Sequence, residues 1–333
     1  MGPWGRRVRF PRVIRGHGKR KKDLPPSYLK EYETGALARK AEEAWEILKA
    51  CRLCPRNCGI NRLDGELGFC RTGRTALVSS VGPHLGEEDP LVGQYGSGTI
   101  FLAFCNLGCI FCQNYELSHL GEGRESPPER LAEQMLHLQT LGCHNINWVT
   151  PSHVIPFLLR ALLTAIPRGL AIPLVYNCGG YESLDTLHLL DHIVDIYMPD
   201  FKFWDSAIAA ELAVAPDYPS TARRALKEMH RQVGELILNR QGIAERGLLI
   251  RHLVMPNEVA GTKEIMEFIA QELSPQTYVN VMNQYRPCGQ APGHPLINRR
   301  LYPEEYRQAL DWAEQAGLLR LDQRRSPSFL RWI

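Results

Sequence analysis

Thr99-Ile-Phe-Leu-Ala-Phe104 runs directly into Cys105-Asn-Leu-Gly-Cys109-Ile-Phe-Cys112-Gln-Asn114. The first six residues read as a short buried strand. The ten that follow carry three cysteines spaced C-x3-C-x2-C. Three thiols this close in sequence can reach one metal centre, and no fourth cysteine is nearby. Structural zinc closes its sphere with four ligands. A cubane iron–sulfur cluster has four irons, so three protein thiolates leave one iron open. A zinc knuckle that borrows a distant ligand, or three unrelated buried cysteines, are the plainer readings. An open coordination position is a reason to expect chemistry at this strand end.

Downstream, strand and helix patterns alternate. Apolar strand-like runs recur at Thr99–Phe104, Asn145–Val149, Ile172–Tyr176, Ile193–Met198, Leu248–Val254 and Tyr278–Met282. Helix-like segments follow near 128–141, 153–166, 183–191, 220–239, 262–273 and 303–317. Six βα units predict an α/β fold with a parallel sheet. Right-handed connections let such a sheet wrap toward a barrel, and six units are too few for the closed eightfold form. An open (βα)6 partial TIM barrel fits. Strand patterns by themselves also allow a doubly wound sheet. In both, ligands sit at the C-terminal strand ends, where the cysteine loop falls.

Polar residues cluster at the other strand ends too. They read Thr150-Pro151-Ser152-His153, then Asn177-Cys178-Gly179-Gly180-Tyr181-Glu182, Asp200-Phe201-Lys202, Arg251-His252 and Asn283-Gln284-Tyr285-Arg286. Lys202 and Arg251 are cations suited to an anionic ligand group, and Asn177 and Asp200 suit hydroxyls. Gly179 and Gly180 permit close backbone approach. Taken singly, each reads as a cap, a rim ion pair or a turn glycine. Cys178 and Cys288 read as small buried hydrophobes, and His252 as a satisfied interior histidine.

Upstream, a helix over Gly35–Ala50 delivers the chain to Cys51, Cys54, Cys58 and Cys70, a C-x2-C-x3-C-x11-C set with glycines at 59, 65 and 68. Four ligands suit structural zinc or a second iron–sulfur cluster. A strand over Thr75–Val81 and the turn Gly93-Gln-Tyr-Gly96-Ser-Gly98 lead into Thr99. That glycine run precedes a strand rather than opening a helix, which excludes a dinucleotide fingerprint. The expected organisation is a basic disordered tail over 1–34, a cysteine-rich metal-binding segment over 35–98 and a (βα)6 core with an extension over 99–333.

Clustered cysteines are metal-site usage rather than a secreted disulfide framework. With no signal-like or membrane-length apolar segment, a cytoplasmic protein is expected. Net charge is +3, yet residues 1–22 hold nine Lys or Arg and no acid, leaving 30 basic against 36 acidic residues in the remainder. The tail reads as a solvated extension. The contrasting function is a non-catalytic iron–sulfur or zinc protein that binds nucleic acid through this arm.

The C-x3-C-x-aromatic-C loop, with Phe111 as the aromatic, resembles the signature of the radical S-adenosylmethionine (SAM) superfamily. Asp200-x-Lys202, Arg251 with Val254-x-Pro256, Asn177-x-Gly179 and Asn114 after Cys112 resemble its pyruvate formate-lyase activating-enzyme branch, over about residues 99–290. The resemblance implies a 4Fe-4S cluster on Cys105, Cys109 and Cys112. It implies SAM held near Phe111, Asn114, Asn177, Asp200, Lys202 and Arg251. It further implies reductive cleavage of SAM to a 5′-deoxyadenosyl radical, an electron donor such as flavodoxin or ferredoxin, and a protein substrate offering a glycyl residue. It lapses after the second strand, where Thr150-Pro151-Ser152-His153 replaces the branch's G-G-E-P.

Overall fold

The computed structural model describes residues 24–322. The basic arm at 1–22 therefore lies outside the described residues. The strands are β1 (Ala76–His84), β2 (Ser97–Leu102), β3 (Arg124–Ser126), β4 (Ile146–Val149), β5 (Leu174–Cys178), β6 (Ile196–Pro199), β7 (Ile237–Leu238), β8 (Ala244–Leu253), β9 (Tyr278–Met282) and β10 (Arg320–Leu321). The helices are α1 (Ser27–Glu33), α2 (Ala36–Glu46), α3 (Asp89–Val92), α4 (Tyr115–Ser118), α5 (Pro128–Thr140), α6 (Ile155–Ala165), α7 (Leu184–Leu190), α8 (Ser206–Ala213), α9 (Tyr218–Val233), α10 (Thr262–Phe268) and α11 (Pro303–Gln315).

All ten strands form one mixed sheet, ordered β10-β9-β8-β6-β5-β4-β2-β1-β3, with β7 paired to β8. From β2 to β10 neighbouring strands are parallel and follow chain order. Beyond β2, β1 is antiparallel to it and β3 antiparallel to β1. Strands β5 and β6 are buried at every residue, as parallel strands covered on both faces must be.

Helix α6 explains the apolar run Val154–Ile166. Phe157, Leu158, Leu159 and Leu162 are fully buried because α2 lies across the helix. Trp45 meets Phe157 edge-on at 5.5 Å, and Arg160 stacks over Trp45 at 3.5 Å. Each such apolar side chain contributes about 1.5–3 kcal/mol on burial. Among the described residues no helix is long and apolar enough to cross a membrane.

Several boundaries differ from the expectation. Residues 27–33, assigned with the tail, form α1. Tyr28 is fully buried and its hydroxyl donates to the Ile172 carbonyl at 2.9 Å, while the Ser27 N–H donates to Asp195 at 2.7 Å. The third expected strand starts two residues late because Pro173 has no N–H for the ladder. The helix expected over 220–239 is α9, stopped at Gly234 with φ 68°. Helix α8 precedes it unannounced, and a seventh parallel strand, β10, adds to the six expected.

Candidate active site

The parallel register brings the polar strand-end residues together. Val149 pairs with Asn177, Cys178 with Pro199 and Arg251 with Asn280. The ladder then continues past the strands, with a bridge between Asp200 and Arg251 and the Thr150 N–H donating to the Asn177 carbonyl at 2.8 Å. Residues far apart in sequence thus become lateral neighbours, which no local pattern specifies. Phe104 and Thr150, the turning residues after β2 and β4, hold φ of 67° and 63°. Left-handed non-glycine residues of this kind gather at functional sites.

Asp200 is the hub. Its carboxylate accepts from Lys202 Nζ at 2.5 Å and from Arg251 Nε at 2.8 Å. Arg251 also donates to Asn177 Oδ1 at 2.7 Å and lies 3.7 Å from Glu87. Burial works to raise the Asp200 carboxyl, but Arg251 and Lys202 together hold it below the usual carboxylate range. Burial opposes the charge of Lys202 and Arg251, and Asp200 overrides it, moving both upward. The site therefore keeps Lys202 and Arg251 both charged, beside Asp200 and, for Arg251, Glu87 as well. Tyr218 braces it, accepting from the Lys202 N–H at 2.8 Å and donating to the Gly179 carbonyl at 2.9 Å.

Cys105, Cys109 and Cys112 border the same cavity of about 250 Å³. Phe111, Asn114, Asn177, Asp200, Lys202 and Arg251 line it as well. Burial pushes the Cys105 thiol up to about 12 and Cys109 further upward, with Lys202 pulling both back. Coordination to a metal deprotonates a thiol outright. Donors face two of the sulfurs: the Leu107 N–H reaches Cys105 at 3.3 Å and the Ser118 hydroxyl reaches Cys112 at 3.1 Å. An added Cβ at Gly179 would come within 2.8 Å of Leu107, so the backbone borders the cavity there with no room for a side chain. Phe111 packs edge-on against Phe203 at 5.7 Å, an apolar backing that excludes water.

Among the described residues no three or more His, Cys, Asp or Glu side chains already stand close enough together to grip a metal ion.

Other residues fall differently. Thr150 lines the cavity, but Ser152 donates to Glu182 at 2.6 Å inside the core. Tyr176 donates to the other Glu182 oxygen at 2.8 Å. Burial pushes Glu182 up to about 7, against the lowering effect of Ser152, Tyr176 and Cys178. Cys178, Ser118, His119, Met282 and Gln284 also line the cavity; the serine and histidine carry no signal in the sequence. His252 is a satisfied interior histidine, 2.7 Å from the Phe201 carbonyl and 2.9 Å from Thr262. Cys51, Cys54, Cys58 and Cys70 line a separate small void together with His153.

The chain is 35% identical over 287 residues to the Uncharacterized protein MJ0674 of Methanocaldococcus jannaschii, spanning 84% of this chain and 78% of that protein. The chain belongs to that protein's family. Uncharacterized protein MJ0808 of the same organism is a further relative, 26% identical over 46% of this chain and 49% of its own length. No family model matches. Among solved structures, methylornithine synthase (PylB) aligns over 94% of this chain and 86% of its own, with TM-score 0.41 and 14% identity. TYW1 with a lysine-pyruvate adduct bound aligns over 65% and 73%, at 0.40 and 10%. A domain of pyruvate-formate lyase-activating enzyme from Bacteroides vulgatus aligns over 58% and 89%, at 0.33 and 14%. Likenesses at such scores carry no functional argument, and MJ0674 is itself uncharacterized. Activity is argued from the site.

Proposed function

We propose that this chain is a radical SAM enzyme akin to the pyruvate formate-lyase activating-enzyme branch. One observation carries the reading: Cys105, Cys109 and Cys112 share a single cavity with Phe111, Asn114, Asn177, Asp200, Lys202 and Arg251 at the C-terminal strand ends. The unreversed order of β2, β4, β5, β6, β8 and β9 supports an open (βα)6 partial barrel. Residues 99–322 would form the catalytic core, with 35–98 as its cysteine-rich lead-in, and 323–333, expected with the core, lie outside the described residues.

The three thiolates would hold a 4Fe-4S cluster with one iron left for the SAM amine and carboxylate. When bound, that cluster supplies the electron that cleaves SAM. The protein's own task is to bind, orient and keep dry. Lys202 Nζ, anchored to Asp200 by one N–H, keeps two donors for the SAM carboxylate. Arg251 adds charge of the same sign, and Asn177 offers its amide to the ribose. Thr150, turned inward by its left-handed backbone, stands where the branch holds the SAM amine. Phe111 shields the cysteine loop. Hydrogen would be taken from a substrate at the cavity mouth, in this reading a glycyl residue of a partner protein. A cytoplasmic flavodoxin or ferredoxin would supply the electron.

Anaerobic reconstitution tests the reading. A reduced-cluster EPR signal that changes on adding SAM, with release of 5′-deoxyadenosine, is expected, and Cys109→Ala should abolish both. A signal indifferent to SAM would sink it.

A further inference from the structure

We propose that Cys51, Cys54, Cys58 and Cys70 bind one zinc ion as an anionic tetrathiolate centre, charge-matched by Arg56 and Arg62, and that this centre steadies the Cys105–Cys112 loop. The inference stands apart from the SAM reading.

Size argues for a single ion. The void these four cysteines line measures about 10 Å³, against about 250 Å³ beside the other three. Such a space holds about one water-sized occupant. The same ligand chemistry therefore meets two cavities of very different capacity. The sulfurs do not yet converge on a point, so binding has to draw them inward to about 2.3 Å from the ion.

Charge argues for an anionic centre. Arg62 is 1% exposed, yet its hydrogen-bond partners are the carbonyls of Gly73 and His153 and, at 4.0 Å, the Cys51 sulfur. None is a carboxylate. A guanidinium buried this way is costly without an anion beside it. Arg56 bonds the carbonyls of Asn106 and Val214, stacks over Phe69 at 3.7 Å, and leaves Nη2 buried without a hydrogen-bond partner. His153, also lining the void, keeps Nδ1 unpartnered. Four neutral thiols answer neither cation. Zinc with four thiolates carries a net charge of about −2 and accepts hydrogen bonds at sulfur, which meets both arginines.

Backbone shape agrees. Asn57 and Gly59, either side of Cys58, and Arg71, after Cys70, have positive φ. Gly68 lies against Cys58 so closely that an added Cβ would come within 2.8 Å of its sulfur. Coupling to the active site follows from the same side chains. Arg56 Nε donates to the Asn106 carbonyl inside the three-cysteine loop at 2.9 Å. His153 Nε2 donates to the Ala103 carbonyl, two residues before Cys105, at 2.9 Å.

Metal analysis of the full chain, and of a Cys105→Ser/Cys109→Ser/Cys112→Ser variant, tests this. Both should carry about one zinc per chain, and Cys54→Ser/Cys58→Ser below about a tenth of that. Iron with acid-labile sulfide in the triple variant, or no stoichiometric metal, overturns the proposal. Should the Cys54→Ser/Cys58→Ser variant not fold, the first two proteins still decide. Arg62→Met should lose zinc to a chelator roughly tenfold more readily; unchanged retention overturns the charge matching. Hydrogen exchange of residues 105–112 should quicken on zinc removal while β9 stays protected. A loop indifferent to zinc overturns the coupling.

Discussion

Lys202, half-buried on the cavity lining, and Glu182, buried in the core, are driven by their environments to opposite ends. Lys202 stays charged because Asp200 sits 2.5 Å away. In Lys202→Met that charge is lost while all three cysteines remain. A charge-assisted hydrogen bond contributes about 1.5–3 kcal/mol, so SAM affinity should fall roughly 10- to 100-fold. Equilibrium dialysis of reconstituted protein, with iron content unchanged, checks this. Glu182 lacks a cation, and burial raises it to about 7 from 4.5. A raised carboxyl stabilises the fold fully below its unfolded pKa and loses that contribution as pH climbs through the folded value. The span corresponds to about 3 kcal/mol at most. The urea midpoint of the wild type relative to Glu182→Gln should therefore fall as pH rises from 4.5 to about 7 and level off above it. An equal slope in both proteins would remove Glu182 as its source.

At the level of elements, the parallel ladder decides who meets whom. Asn177, Asp200 and Arg251 are lateral neighbours only because β5, β6 and β8 align as they do. Gly180, just past β5, makes this close approach possible. Its φ is 78°, and an added Cβ would stand 2.3 Å from the Asp200 carbonyl oxygen. Gly180→Ala should cost about 2–4 kcal/mol, combining left-handed strain with overpacking, and weaken SAM binding. Gly169 offers the control, since its φ of 99° has open space beside it. Gly169→Ala should cost only about 1 kcal/mol and leave binding intact. Urea titrations of the two variants separate clash from strain.

For the molecule as a whole, the two ends of the parallel strands have separate tasks. The C-terminal ends carry the cavity, and α1 covers the other end, where Ser27 and Tyr28 bond Asp195 and Ile172 ahead of β6 and β5. Removing residues 1–33 should lower stability by about 2–4 kcal/mol through lost Tyr28 burial and an exposed Asp195 partner set. Hydrogen exchange should quicken first at Leu174 and Ile196. Uniform quickening across the sheet would instead indicate that α1 supports the whole fold.

Local order was legible from the chain alone. Tyr278–Met282 is β9 residue for residue, α5 and α11 lie within two residues of expectation, and the three-cysteine loop follows β2 as read. These features depend on neighbours in sequence, where periodicity and turn chemistry act. Elements that exist through distant contacts gave no such signal. Strands β3 and β10 have three and two residues and form only against partners already in place, and α1 emerged from what looked like tail. The site divides the same way. Residue types at strand ends announced Asn177, Asp200, Lys202 and Arg251 as candidates. Only tertiary structure put them around one cavity with the cysteines, turned Ser152 inward to Glu182 and gave His153 to the four-cysteine void, because lateral register and burial are set by the folded sheet and by no short stretch of chain.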